Sequence, residues 1–343
     1  MNRILIILMA LSAAFCSKNP TSDSETVANA EKPAYAIVIH GGAGTILPEN
    51  ITGEQEAAYR EALNTALTIG EDILNAGGSS RDAVEQTIIY LEDSPLFNAG
   101  KGAVFTSDGQ NELDASIMDG ATRNAGAVGG LHHVRNPIRA ARAVLEHSRH
   151  VLLTGAGAET FAIEQGLDTV AADYFYTESR WEALERARAK EDQKSGALLP
   201  VDYKYGTVGC VALDKDGNIT AGTSTGGMTN KRYGRFGDVP VIGAGTYADN
   251  ATCGVSCTGH GEYFIRYAVG HDMTALMAYK GMSLEAAGQH IIHEKLKEAG
   301  GAGGLIAIDR NGNITMPFNT PGMYRGYARP GEREVGLFGE MAE

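Results

Sequence analysis

Two stretches of this chain share one plan. Val211-Ala212-Leu213-Asp214-Lys215-Asp216-Gly217-Asn218-Ile219-Thr220 and Ile306-Ala307-Ile308-Asp309-Arg310-Asn311-Gly312-Asn313-Ile314-Thr315 each read as strand, Asx-Gly turn and strand. Such hairpins pair antiparallel, whereas a run of βαβ units would need crossover helices between parallel strands. Helical patterns surround the hairpins. Thr52 with Gln55 predicts a capping box for a long helix ending near Gly77-Gly78. Ser80 is expected to cap a second helix, with Val84, Ile88 and Leu91 on one face. Asn136-Pro137 predicts a third by cap and N1 proline. Glu178 to Lys190 reads as a polar helix, and Ser283 to Leu296 as one with Ala286, Ile291 or Ile292 and Leu296 for its apolar stripe. Tyr35 to His40 reads as a buried strand entering a Gly41–Gly44 turn, and the glycine-punctuated block from Gly100 to Gly130 as short strands including Leu113–Met118. The pattern predicts an α+β layered sandwich.

A net charge of −13 argues against a nucleic-acid binder, which needs a basic face. Arg3 precedes an apolar run from Ile4 to Phe15 that is too short to span a bilayer, so residues 1–16 are expected to be a secretory signal. Residues 17–33 are polar and predict an unfolded tether. Cys16 at the junction resembles the lipidated cysteine of a bacterial lipoprotein, but Phe15 stands where a small residue is expected. Lipid anchoring in the envelope and plain export to the periplasm both stay open. Cys253 and Cys257 lie four apart in a strand, which would separate their Cα atoms by roughly 13 Å, too far for a disulfide. No spacing matches a zinc site, and Cys210, Cys253 and Cys257 are expected as buried small apolar residues.

Gly206-Thr207-Val208-Gly209 puts a threonine at the head of a strand, behind a charged, aperiodic stretch from Lys190 to Lys204. A threonine hydroxyl is a weak nucleophile unless a base sits beside it, and its own α-amine is one such base. That amine exists only if the chain is cut between Gly206 and Thr207. Its pKa of about 7.7–8.0 would suit general-base work near neutral pH. Alone, Thr207 reads as a β-branched residue starting a strand, and the stretch before it as a surface loop. Its downstream company turns the reading toward chemistry.

A hairpin partner strand would bring Thr225 back beside Thr207. Arg235-Phe236-Gly237-Asp238 sets a guanidinium and a carboxylate three apart on a glycine-rich loop. Such a pair can hold the α-carboxylate and α-ammonium of an amino acid, or form only a local ion pair. Thr258-Gly259-His260-Gly261 ends a strand and opens a helix near Glu262. N–H groups at a helix start can stabilise an oxyanion or cradle phosphate, and Thr258 adds a hydroxyl. His260 taken alone reads as structural.

At these residues the chain resembles the plant-type asparaginases, or isoaspartyl peptidases, of the N-terminal-nucleophile hydrolases. The likeness runs through His40-Gly41-Gly42-Ala43-Gly44, Pro95-Leu96-Phe97-Asn98-Ala99-Gly100, Leu113-Asp114-Ala115 and Thr207-Val208-Gly209. It continues through Thr223-Ser224-Thr225-Gly226-Gly227-Met228-Thr229-Asn230-Lys231, Gly234-Arg235-Phe236-Gly237-Asp238, Gly243–Asn250, Thr258–Glu262, Gly303–Ile306 and Pro317–Thr320. The resemblance implies a four-layer αββα sandwich, cut by itself between Gly206 and Thr207. An α subunit (34–206, with a flexible linker from about 188) and a β subunit (207–343) would form one structural domain and pair as (αβ)2. It also implies Thr207 as nucleophile and base, Thr225 as its assistant, Arg235 and Asp238 as substrate clamp, and Thr258 with Gly259 as oxyanion hole. Phe236, Gly237, His260 and Gly261 would line the pocket. No cofactor is implied for the chemistry. A structural sodium ion is implied on the main-chain carbonyls of Leu91, Glu92, Ser94, Phe97, Ala99 and Lys101. Small β-aspartyl amides, isoaspartyl dipeptides and L-asparagine, would be the substrates. A glycosylasparaginase is the alternative enzyme, sharing the Thr, Arg and Asp but generally lacking the His-Gly-Gly-Ala-Gly opening. An uncleaved amino-acid-binding surface protein is the alternative of another class.

Overall fold

A computed structural model describes residues 33–192 and 206–339. The expected signal with Cys16, residues 17–32 of the expected tether, and residues 193–205 of the expected linker lie outside the described residues. In chain order the elements are β1 (Ala36–Gly44), α1 (Gly53–Asn75), α2 (Ser80–Asp93), β2 (Leu113–Asp119), β3 (Ala125–Leu131), α3 (Pro137–His147), β4 (Leu152–Thr154), α4 (Gly155–Glu164) and α5 (Glu178–Asp192). Then come β5 (Val208–Leu213), β6 (Ile219–Thr225), β7 (Thr246–Ala248), β8 (Cys253–Gly259), α6 (Gly261–Tyr267), α7 (Val269–Lys280), α8 (Leu284–Gln289), β9 (Gly303–Asp309), β10 (Ile314–Thr315), β11 (Gly322–Arg329) and β12 (Glu332–Phe338).

The strands form an eight-stranded sheet in the order β12-β11-β1-β5-β6-β2-β3-β4 and a four-stranded sheet in the order β10-β9-β8-β7. Both expected hairpins are present as antiparallel pairs, β5 with β6 and β9 with β10. Alternation along β5 sorts its side chains cleanly. Val208, Cys210 and Ala212 pack with Leu63 and Leu67 of α1 and Val84 and Ile88 of α2. Val211 and Leu213 point the other way, into a layer shared with Ile306 and Ile308 of the second sheet. The far face of that sheet, through Cys253, Val255 and Cys257, meets Met273 of α7 and Ile291, Ile292 and Leu296. The order is helices, sheet, sheet, helices: an αββα sandwich. Full burial of each such aliphatic side chain contributes roughly 1.5–3 kcal/mol.

Local details depart from the sequence expectations for identifiable reasons. The capping box of Thr52 and Gln55 opens α1 as expected. Ser79 caps α2 in place of Ser80; Ser80 is buried and bonds the Thr220 hydroxyl at 3.0 Å. Pro137 does start α3, but the Asn136 side chain makes no cap bond. The carboxylate of Glu92 takes the Ile138 N–H there instead, at 3.0 Å. After α8 the helix widens to π geometry over His290–Leu296. The widened turn brings Ile291 and Ile292 both inward, with Ala287 and Gly288 buried and Ala286 exposed. The glycines after His40 continue β1 through a bulge rather than turning. α5 runs on to Asp192, past the start expected for the linker.

Gly126 shows how tightly the helix layer sits. A methyl group on it would collide with the Ala141 carbonyl and Leu145 of α3, whereas a methyl on Gly157 of α4 would meet nothing within 4 Å. Gly126→Ala should therefore cost about 1–3 kcal/mol of overpacking. Gly157→Ala should be neutral or gain up to about 1 kcal/mol in helix propensity. Urea midpoints of the two variants check this, and equal midpoints would contradict the packing.

Candidate active site

β5 and β6 pair with Val208 opposite Ser224, so the next residues outward, Thr207 and Thr225, face each other at the end of the hairpin. Their hydroxyl oxygens are 3.0 Å apart. Both are buried, Thr207 at 9% exposure being the less so. The Thr225 oxygen also accepts the Gly227 N–H at 3.0 Å. On the other side of Thr207, the Gly206 carbonyl accepts the Asn98 N–H at 2.8 Å. Asn98 is buried and fully used. Its amide nitrogen donates to the Gly227 carbonyl at 2.8 Å, and its side-chain oxygen accepts the Val104 N–H at 2.9 Å. Its own carbonyl accepts the Gly226 N–H at 3.1 Å. One asparagine thus laces the 206/207 junction to the turn after Thr225. The Thr207 carbonyl in turn contacts Nδ1 of His40 at 3.0 Å.

Behind Thr225, the Ser224 hydroxyl donates to Glu92 at 2.6 Å. Burial pushes that carboxyl up to about 8, against the Ser224 and Ile138 hydrogen bonds that favour its charged form. Glu92 lies in the last turn of α2, and that turn together with the following loop carries the carbonyls expected to hold sodium. Methyl groups on Gly100 or Gly102 would collide with the carbonyl oxygens of Glu92 and Phe97, and one on Gly102 would stand 2.8 Å from that of Pro95. Bare glycines there let several carbonyl oxygens crowd together, a donor type suited to a hard cation. Among the described residues no cluster of His, Cys, Asp and Glu could hold a metal.

A second cluster gathers Arg235, Asp238 and Gly261. A methyl on Gly261 would stand 2.9 Å from both the Arg235 guanidinium and the Asp238 carboxylate, so the glycine leaves their shared space open. Arg235 does not pair with Asp238. Its Nε and Nη2 each donate to Glu262 at 2.9 Å, a bidentate pair. Asp238 is buried, and its Oδ2 has no hydrogen-bond partner among the described residues. Burial raises that carboxyl to about 7, opposed by the Arg235 charge. A buried carboxylate oxygen without a donor is a costly arrangement that a bound cation would relieve. Phe236 is 37% exposed, and its ring covers Gly129, where a methyl would lie 2.7 Å away. Gly237 backs the Arg235 guanidinium, 3.0 Å from where its methyl would be.

Thr258 closes β8 with its hydroxyl oxygen accepting the Ala43 N–H at 3.4 Å. Gly259 has φ of 146°, and a methyl there would stand 2.5 Å from the Ala302 carbonyl, so only glycine fits. His260 stacks near Tyr263, with ring centroids 4.9 Å apart, and burial holds its pKa below the usual imidazole value. The geometry therefore brings Thr207 to Thr225 and Arg235 to Asp238 and Gly261, as the sequence predicted. Asn98, His40 and Glu262 sit in quoted motifs, yet nothing in their spacing assigned them these contacts.

A four-layer αββα sandwich with a buried threonine pair at the end of its central hairpin defines an N-terminal-nucleophile hydrolase fold. Family comparison agrees: a family described as Asparaginase matches residues 33–337. The chain belongs to that family. It is 52% identical over 299 residues to the isoaspartyl peptidase of Salmonella typhimurium, covering 86% of this chain and 96% of the relative. Against the isoaspartyl peptidase of Escherichia coli K12 it is 51% identical over 311 residues, 90% of this chain and 97% of that one. A probable isoaspartyl peptidase/L-asparaginase 2 of Arabidopsis thaliana is 41% identical over 327 residues, 89% of this chain and 99% of that one.

The Asp238 environment sets a pH signature. Because its folded pKa is raised, its contribution to stability is fully present in the ordinary acid range and is lost as pH rises through about 7. Asp238→Asn should therefore melt progressively higher relative to the unmodified protein as pH climbs to about 8, with ligand absent. Melting curves across that range check it, and a gap independent of pH would refute the assignment.

Proposed function

We propose that this chain is a threonine hydrolase that activates itself by cutting between Gly206 and Thr207 and then cleaves β-aspartyl amide bonds. The observation that carries the reading is the Thr207–Thr225 hydroxyl contact of 3.0 Å at a junction whose Gly206 carbonyl is already held by Asn98. In the cut, the Thr207 hydroxyl oxygen attacks the Gly206 carbonyl carbon. The Asn98 N–H donates to the carbonyl oxygen as it gains charge. Collapse shifts the acyl group from nitrogen to oxygen, and water hydrolyses the ester. Gly206 becomes a carboxylate and Thr207 an α-amine. The products are the two subunits 34–206 and 207–343, still one folded unit.

In turnover, that amine takes the proton from the Thr207 hydroxyl as the oxygen attacks the side-chain carbonyl of the substrate. Thr225 orients the hydroxyl. Thr258 and the Gly259 N–H stabilise the oxyanion. The leaving amine takes the proton from the Thr207 ammonium and departs, leaving a β-aspartyl ester that water releases as L-aspartate. Arg235 holds the α-carboxylate and Asp238 the α-ammonium. Glu262 already occupies one edge of the Arg235 fork with a carboxylate, and Asp238 offers a donor-free oxygen beside it. Phe236, Gly237, His260 and Gly261 border the pocket. Recognition is confined to the aspartyl half, which fits isoaspartyl dipeptides and L-asparagine alike. The relatives named isoaspartyl peptidase favour this substrate class over a glycosylated asparagine.

The reading also takes in export by the amino-terminal signal, with Cys16 as a lipid site, an (αβ)2 assembly, and sodium on the carbonyls of Leu91, Glu92, Ser94, Phe97, Ala99 and Lys101. Sodium would brace the loop that presents Asn98.

On a denaturing gel the protein should run as two bands, the smaller beginning at Thr207, and should hydrolyse β-aspartyl-leucine. Thr207→Ala should give one band and no turnover. Activity confined to a glycosylated asparagine, or activity in an intact single chain, would sink the reading. Replacing sodium with choline at equal ionic strength should lower the melting temperature by about 1–2 °C, the shift of roughly 1 kcal/mol in a chain this size. Unchanged melting would remove the ion.

A further inference from the structure

Between the two sheets runs a chain of buried polar groups that the proposed chemistry leaves unused. His40 of β1 contacts the Thr207 carbonyl through Nδ1 and the Ser256 hydroxyl of β8 through Nε2, each at 3.0 Å. Ser256 contacts Thr223 of β6 at 2.7 Å, and Thr223 contacts Thr246 of β7 at 2.6 Å. Ser116 of β2 donates to Thr246 at 2.7 Å and to the Val239 carbonyl at 2.6 Å. His40, Ser256, Thr223, Thr246 and Ser116 are all fully buried. Five strands and the segment just after Asp238 are thereby joined.

Proton bookkeeping gives the chain a direction. A carbonyl only accepts, so Nδ1 of His40 carries the proton bound to the Thr207 carbonyl. Full burial depresses the imidazole pKa to about 3, so the ring is neutral and Nε2 must accept from Ser256. With its proton committed there, Ser256 accepts from Thr223, Thr223 from Thr246, and Thr246 from Ser116. Ser116 is left with one proton for two acceptors, which makes the Val239 end the loose one. Thr223 has a second, longer acceptor in the Gly245 carbonyl at 3.4 Å, and the 2.7 Å Ser256 contact is the shorter of the two.

The consequence lies in what holds Thr207 before and after the cut. In the precursor its nitrogen side is tethered through Gly206 to Asn98. Once residue 207 is a chain end that tether is gone, and the direction of the α-amine depends on the peptide plane to Val208 and on the Thr225 contact. We propose that His40 is a positioning residue for turnover: by donating Nδ1–H to the Thr207 carbonyl it fixes the amine against the Thr207 hydroxyl, and through the Ser256–Thr223–Thr246–Ser116 chain it ties the nucleophile to the Asp238 segment. The proposal rests on the reading of Thr207 as nucleophile and base.

The test exploits side-chain length. An asparagine at 40 can place its amide N–H where Nδ1 stands, whereas a glutamine reaches the Nε2 position and leaves the Thr207 carbonyl without a donor. Precursor cleavage, kcat and KM on β-aspartyl-leucine and on L-asparagine are measured for the unmodified protein, His40→Asn and His40→Gln. His40→Asn should keep kcat within about threefold, while His40→Gln should lose about 10²-fold in kcat, the scale of a small misplacement of reacting groups. KM should move little, because Arg235 and Asp238 are untouched. Cleavage should be slowed far less than turnover in His40→Gln, since Asn98 still holds Gly206. Ser256→Ala, which frees Nε2 and unlocks the tautomer, should lower kcat in the same direction. Equal kcat in the Asn and Gln variants, equal loss of cleavage and turnover, or a loss confined to KM would each overturn the proposal. An unmodified protein inert on both substrates would instead sink the functional reading, and this inference with it.

Discussion

The pairing of β5 with β6 is the constraint on which the rest of the molecule depends. Because Val208 lies opposite Ser224, residue 207 can face only residue 225, and a slip of one residue would turn every side chain on β5 to the wrong layer. Val208, Cys210 and Ala212 would then leave the helix-facing core, and Val211 and Leu213 the layer between the sheets. The hydrophobic sorting that stabilises the sandwich is therefore the same sorting that fixes the threonine pair. Packing energy spread over many aliphatic contacts guarantees one oxygen–oxygen distance.

The pair stands where regular hydrogen bonding stops. Strand pairing satisfies backbone groups up to Val208; at Gly206 the carbonyl needs another donor, and Asn98 supplies it from a distant loop. That loop is itself held by two side chains from different helices. Tyr59 and Arg180 donate to the Leu96 carbonyl at 3.3 and 3.4 Å, and Arg180 Nε to the Gly102 carbonyl at 2.9 Å. Arg180 lies on α5, the last described helix before residue 206, so the segment leading to the junction helps brace the loop that holds it. The 206/207 junction is thereby held by neighbours that are themselves hydrogen-bonded.

The architecture was legible because it is written in local patterns: Asx-Gly turns, the Thr52–Gln55 box, Pro137 at a helix start, alternation through β5. The threonine pair was legible for the same reason, being one hairpin register. Arg235 and Asp238 were legible as types, a fork and a carboxylate three apart, but their partners were not. Glu262 was in view as a helix-opening residue, and only the fold shows it filling one edge of the Arg235 fork. Glu92 displaced Asn136 as the cap of α3 because a buried carboxylate needs donors, a demand that burial creates and sequence does not display. The π turn after α8 is similar. Ile291 and Ile292 are both buried along the widened turn, so the alternative between them does not arise.

Glu92 and Asp238 are both buried, each with one carboxyl oxygen that has no hydrogen-bond partner among the described residues. Glu92 is buried with donors from Ser224 and Ile138, and it anchors the strand behind Thr225. Asp238 is buried with one oxygen left bare, beside a guanidinium that faces Glu262. Both donors to Glu92 reach Oε1, and its Oε2 has no partner among the described residues, so the cost of burying it is only partly offset. Asp238 differs in bordering the open space at Gly261, where a small hydrogen-bond donor of positive charge would offset its desolvation. On the reading proposed above, an α-ammonium flanked by an α-carboxylate would meet that demand, with Arg235 taking the carboxylate. On that reading, selectivity for the aspartyl half of a substrate would follow from a desolvation left uncompensated in the free protein.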